Sequence, residues 1–116
     1  MLYCKTMAWI VEFLNESVKA ELEALPEDMK VRFIRISSMI SESGLNKVGM
    51  PYVRHLHDKL WEMRMKGRDG ISRALYVTAH KERIVVVRVF VKKTQKTPSR
   101  EIQLALKRAK EVEDYE

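Results

Sequence analysis

Residues 84–91, Ile-Val-Val-Val-Arg-Val-Phe-Val, constrain this chain more than any other stretch. β-Branched side chains favour extended backbone, and because both alternating faces of the run are apolar, both need cover. Helices elsewhere in the chain have to supply it, a helical hairpin on one face and the C-terminal helix or Phe90 on the other. Directly afterwards comes Val91-Lys92-Lys93-Thr94-Gln95-Lys96-Thr97-Pro98. Thr97-Pro98 has the form of an N-cap followed by proline at the first helical position, so the segment is a strand-to-helix corner. Lys92, Lys93 and Lys96 crowd this corner with no acid before Glu101, and Thr94, Gln95 and Thr97 add hydrogen-bonding groups. Such a corner suits an anionic, oxygen-rich ligand, phosphate above all, while a solvated basic turn is the plain alternative.

The rest of the chain can be read against that strand. Residues 8–14, Ala-Trp-Ile-Val-Glu-Phe-Leu, form a short strand pattern that ends at Asn15, a good helix N-cap. Val18, Leu22 and Leu25 then make one helical stripe, and Pro26 starts a second helix whose stripe is Met29, Phe33, Ile36 and Ile40, closed by Gly44. Residues 44–57 show no clean period and read as a long loop carrying Lys47, Arg54, His55 and His57. Residues 60–65 alternate, with Trp61, Met63 and Met65 directed to the core and Leu60, Glu62 and Arg64 to the other side. A turn at 66–70, a strand at 71–79 and a turn at 80–82 lead into the apolar run, which gives an antiparallel meander of three strands. A last helix from Pro98 to about residue 113 buries Ile102, Ala105, Leu106, Ala109 and Val112. The expected fold is therefore α+β: an N-terminal strand, a helical hairpin, the meander and a C-terminal helix. Residues 8–113 read as one domain and residues 1–7 as a disordered N-terminal extension.

Charge narrows the function. Lys and Arg number 22 against 16 Asp and Glu, a formal +6, which favours a polyanionic partner. The single Cys4 allows no internal disulfide and fits a reducing cytoplasm, and no apolar run reaches the ~20 residues of a membrane span. Arginines within strands are more informative than surface lysines, since a charge aimed at a sheet face needs a partner or a ligand. Arg64, Arg73 and Arg88 fall on neighbouring strands. If they converge, the result is a basic concavity with Trp61 or Tyr76 near its rim; otherwise Glu62 pairs with Arg64 or Arg73 and the rest point to water. The sequence has no Gly-rich phosphate loop, no metal-ligand spacing, and no serine or cysteine nucleophile with an evident histidine base. The chemistry left is one that cations promote: a ribose 2′-hydroxyl attacks its own phosphate while fixed positive groups stabilise the dianionic transition state.

The order of elements, together with Leu-Trp-Glu-Met-Arg-Met at 60–65, Gly-Ile-Ser-Arg-Ala-Leu-Tyr at 70–76, residues 83–98 and Arg-Glu-Ile-Gln-Leu-Ala-Leu-Lys-Arg at 100–108, resembles a known family. It is similar to the phage-derived Gp49-like group of HigB toxins in the RelE/ParE superfamily, from about residue 8 to residue 112. The resemblance implies a RelE-like microbial-ribonuclease fold and a cytoplasmic toxin that cleaves mRNA on the ribosome without a metal or other cofactor. It implies a HigA-like helix-turn-helix antitoxin as partner. By the same resemblance Arg64, Arg73 and Lys93, or Lys92 if the register slips, are the catalytic cations; Arg54 of the basic loop, Arg88 among the strand arginines, and Lys92, Gln95 and Lys96 of the corner are the candidates to bind RNA. RelE carries a lysine two residues before the Arg64 position where this chain has Glu62, and the C-terminal helix here has no tyrosine. The general base is then Glu62, His57 or a deprotonated lysine, and Tyr76 is a candidate to stack on a base. ParE relatives inhibit DNA gyrase with the same fold, so a non-catalytic toxin and a nucleic-acid-binding regulatory module are the alternatives.

Overall fold

The computed structural model describes residues 9–49, 52–79, 82–92 and 96–112, so residues 1–7 of the expected N-terminal extension lie outside the described residues. Strand β1 (Ile10–Phe13) leads into helices α1 (Glu16–Glu23) and α2 (Glu27–Ser43). A 3-10 turn (Leu45–Lys47) precedes four strands, β2 (Val53–His57), β3 (Leu60–Gly67), β4 (Gly70–Ala79) and β5 (Arg83–Lys92), and helix α3 (Ser99–Ala109) follows. As expected, Asn15 caps α1, its side chain accepting from the Val18 amide at 3.1 Å, and Gly44 closes α2 with φ at 89°. No described helix is long and apolar enough to cross a membrane.

The strands form one five-stranded sheet in the order β1-β5-β4-β3-β2. β2 to β5 are antiparallel in sequence order, and β1 returns to lie parallel to β5, Ile10 opposite Arg83 and Phe13 opposite Val86. The apolar run thus lies inside the sheet, although β4 rather than β5 is its middle strand. The hairpin of α1 and α2 covers one face, packing Val18, Met29, Phe33, Ile36 and Ile40 against Met63, Met65, Tyr76, Ile84 and Val86. On the other face α3 packs Ala105, Ala109 and Val112 against Leu75, Val77, Val85, Val87 and Phe90. Both predicted layers form, because the apolar stripes of the helices match the alternation of the strands.

Three local features depart from the expectations. The loop expected over 44–57 contains strand β2, an edge strand with exposed Arg54, His55 and His57, whose polarity hides its alternation. A bulge between Leu75 and Tyr76 leaves Val87 without a cross-strand partner, since Tyr76 faces Val86 and Leu75 faces Arg88. The extra residue keeps Arg88 on the α3 face with Leu75. Finally, Thr97 does not cap α3: Pro98 holds that position with no side-chain cap bond, and the buried Thr97 hydroxyl donates elsewhere.

Gly67 shows why the β3–β4 turn sits where it does. A Cβ there would come within 2.8 Å of Asp28 Oδ2 and Met29 Cγ, so only glycine lets the turn press against the start of α2. The Arg68 amide donates to Asp28 Oδ2 at 2.8 Å and fixes the contact.

Candidate functional site

α3 covers β4 and β5 on its face of the sheet, and the part of that face formed by β2, β3 and the near end of β4 carries charge. Register decides which side chains meet. Arg64 on β3 stands directly opposite Arg73 on β4, Arg73 is in turn opposite Phe90 on β5, and Glu62 is opposite Arg54 on β2. Two arginines in direct cross-strand opposition repel, and the arrangement holds because a carboxylate stands two residues away on the same face. Glu62 lies within 3.3 Å of Arg54 Nε, 3.7 Å of Arg64 Nε and 3.8 Å of Arg73 Nε. The Thr97 hydroxyl donates to Glu62 Oε1 at 2.7 Å, tying the start of α3 to the sheet.

Exposure is graded across this cluster. Side-chain exposure falls from 43% for Arg54 to 14% for Arg64 and to zero for both Arg73 and Glu62. Burial pulls the Arg73 guanidinium below its ordinary pKa; Glu62 opposes the shift, and Arg64 and Arg54 add to it. Among the described residues the cluster sets three guanidiniums against one carboxylate, a formal +2 in a partly desolvated setting, which is an environment for an anion with phosphate-like charge.

The sequence-predicted residues distribute as follows. Arg54, Arg64, Arg73 and Glu62 come together, so the convergence and the Glu62 pairing, weighed as alternatives, are both present. Lys92 ends β5 opposite Ile71, half-buried, and Lys96 is exposed next to Thr97. Lys93 and Gln95 lie outside the described residues. His57 is exposed at the end of β2, opposite Leu60, and His55 packs edge-on against Trp61 at 5.1 Å.

Two expected members are elsewhere. Tyr76 is fully buried on the opposite face, under the helical hairpin, and burial drives its phenol above the ordinary tyrosine pKa. Its position on β4, one residue past Leu75 and next to the bulge, turns it away from the arginines. Arg88 is on the correct face but is taken up by acids: Nε donates to Glu101 Oε1 at 2.6 Å and Nη1 lies 2.9 Å from Glu21 Oε2. The Glu101 hydrogen bond raises the Arg88 pKa against the effect of burial, and Glu21 adds to the rise. Thr97 is the member that sequence reasoning assigned to another task. Its neighbour Pro98 made it look like a cap, and nothing local marks the distant Glu62 as its acceptor.

The comparisons with known proteins agree with this architecture. The archaeal RelE of the RelE–RelB complex from Pyrococcus horikoshii OT3 is 17% identical, with a TM-score of 0.54 over 78% of this chain and 100% of that one. The E. coli toxin RelE, solved in the free state as a double arginine-to-alanine mutant, is 21% identical, with a TM-score of 0.56 over 88% of this chain and 98% of that one. These likenesses establish a RelE-like fold. No curated protein matches the chain significantly. Residues 20–110, most of the chain, match the model of the phage-derived Gp49-like proteins, and the chain belongs to that family.

Proposed function

We propose that this protein is the toxin of a type II toxin–antitoxin pair and that it acts as a ribosome-dependent mRNA endonuclease of the HigB kind. The observation that carries the reading is the cluster of Arg54, Arg64 and Arg73 on the part of the α3 face that α3 leaves uncovered. RNA supplies both the phosphate such a cluster accepts and the neighbouring 2′-hydroxyl. In the reaction the 2′-oxygen attacks phosphorus, its proton passes to a base, the bond to the 5′-oxygen breaks, and that oxygen leaves protonated. The products are a 2′,3′-cyclic phosphate and a 5′-hydroxyl.

Fixed cations accelerate this step because negative charge on the phosphoryl oxygens grows toward the transition state. Arg54, the exposed member, meets the phosphodiester first, and the more deeply set Arg64 and Arg73 add their charge from behind; Lys93 is the fourth cation assigned to the step. His57, exposed on the strand beside that of Glu62, is the proton acceptor a substrate reaches from solvent. The RelE structure solved with RelB supports an antitoxin as the physiological partner, here a HigA-like helix-turn-helix protein encoded next door, in the cytoplasm. An acidic antitoxin segment over the arginines would mask them, and the complex would weaken as salt rises.

A purified translation system with end-labelled message tests the reading. The wild-type protein should cut ribosome-bound mRNA, leave a cyclic or 3′-phosphate end, and act more slowly on the same RNA without ribosomes. Intact message, or a 3′-hydroxyl end, would overturn it.

A further inference from the structure

The distances around Glu62 do not resemble those of a structural ion pair. Guanidinium–carboxylate hydrogen bonds close to about 2.7–2.9 Å when nothing prevents it. Elsewhere in this molecule they do: Arg88 reaches Glu101 at 2.6 Å and Glu21 at 2.9 Å, and Arg83 reaches Glu12 at 2.9 Å. Around Glu62 the three separations are 3.3, 3.7 and 3.8 Å, although the carboxylate is wholly buried. Among the described residues Glu62 Oε2 makes no hydrogen bond, and Oε1 accepts from the Thr97 hydroxyl. A planar carboxylate with two oxygens sits in a frame of guanidiniums spaced for something larger.

We propose that Glu62 occupies the place of a phosphate, as an internal substitute anion that has to yield before Arg73 can reach a substrate. That the natural ligand is an RNA phosphodiester rests on the function proposed above. Three guanidiniums so close together, that of Arg73 fully buried, repel one another, and a carboxylate among them lowers that cost. Glu62 provides that carboxylate on a two-methylene side chain, and the Thr97 hydroxyl, a neutral donor, holds it at Oε1. A tetrahedral phosphate entering past the exposed Arg54 brings more oxygens and more charge to the same frame. It competes with Glu62 for Arg64 and Arg73. The Thr97 bond links that exchange to the start of α3.

The test uses inorganic phosphate as the probe and needs no RNA. Glu62→Gln keeps shape and the Thr97 contact but removes the competing charge. Calorimetric titration should show it binding phosphate at least about tenfold more tightly than the wild-type protein, and phosphate should raise its melting temperature by the larger amount. Equal or weaker binding by Glu62→Gln would overturn the proposal. If Glu62→Gln does not fold in chloride buffer, folding restored by phosphate supports the same conclusion. If phosphate fails to restore it, Thr97→Val decides, since it leaves the carboxylate in place without its anchor. It should bind phosphate severalfold more tightly, and unchanged affinity would overturn the proposal. A wild-type protein that binds phosphate in this pattern but leaves mRNA intact would remove RNA as the ligand and leave the anion exchange standing.

Discussion

Two arginine–carboxylate clusters share the α3 face, and they are built to opposite specifications. One joins Arg88 and Arg108 to Glu21 and Glu101, two cations to two anions, with contacts of 2.6–3.0 Å. It lies where β1 ends and the edge of β5 would be open. There the Arg108 guanidinium donates to the Val87 carbonyl and the Glu21 carboxylate accepts from the Val89 amide, replacing the strand that β1 is too short to supply. The other cluster sets three cations around one anion at 3.3–3.8 Å. The first is balanced, tight and joins helices to sheet; the second is cation-rich, loose and graded toward solvent. Charge number alone would have ranked Arg88 with Arg64 and Arg73, and partner geometry separates them.

Breaking the loose cluster should affect function far more than folding. Arg64→Ala removes one of the three cations and leaves Glu62 with Arg54, Arg73 and Thr97. Loss of one charge-stabilising contact is worth about 3 kcal/mol in the transition state, on the order of a hundredfold in rate. Single-turnover cleavage of end-labelled message should fall by that amount while the far-UV circular dichroism stays native. Full activity in Arg64→Ala would erase the functional half of the comparison.

The tight cluster should respond the other way. Glu21→Ala removes the acceptor for Arg88, Arg108 and the Val89 amide together. Stability should drop by about 2 kcal/mol in urea unfolding, because the edge amide loses its acceptor while Arg88 is left with Glu101 and Arg108 with the Val87 carbonyl. Cleavage by the folded fraction should not change. A variant as stable as wild type would show that the edge of β5 needs no such closure.

These contrasts also mark how far the sequence reached. Helix and strand placement was legible because it rests on local periodicity: the stripes Val18-Leu22-Leu25 and Met29-Phe33-Ile36-Ile40, the Met63-Met65 alternation and the Asn15 cap all form as read. β2 was missed because an edge strand with exposed Arg54, His55 and His57 lacks an apolar face strong enough to show. The Glu62–Arg64 pairing was within reach, two residues apart on one strand. The capture of Arg88 was not, since its partners Glu21 and Glu101 come from two helices, and the bulge that directs it there has no local signature. Thr97 was misassigned because its acceptor is 35 residues away. Side chains whose roles depend on long-range partners are where single-sequence reasoning fails, and the candidate site is made of them.

The smallest effect is expected on the face that carries neither cluster. Tyr76 was a candidate for stacking on a base, yet it is fully buried beneath the helical hairpin and its hydroxyl makes no hydrogen bond among the described residues. A buried hydroxyl in that state is a net liability, so Tyr76→Phe should leave cleavage unchanged and stabilise the protein by about 1 kcal/mol. The pH dependence follows from the direction of the shift. Burial raises the folded-state pKa above the unfolded value near 10, so the folded state keeps the phenolic proton while the unfolded state releases it. The corresponding stability is fully present below about pH 10 and is lost as pH rises toward the folded-state value. Urea unfolding of both proteins between neutral pH and pH 11 should show the wild type declining more steeply than Tyr76→Phe above pH 10. Parallel curves, or slower cleavage by the phenylalanine variant, would place this hydroxyl in contact with solvent or substrate and undo the division between the two faces of the sheet.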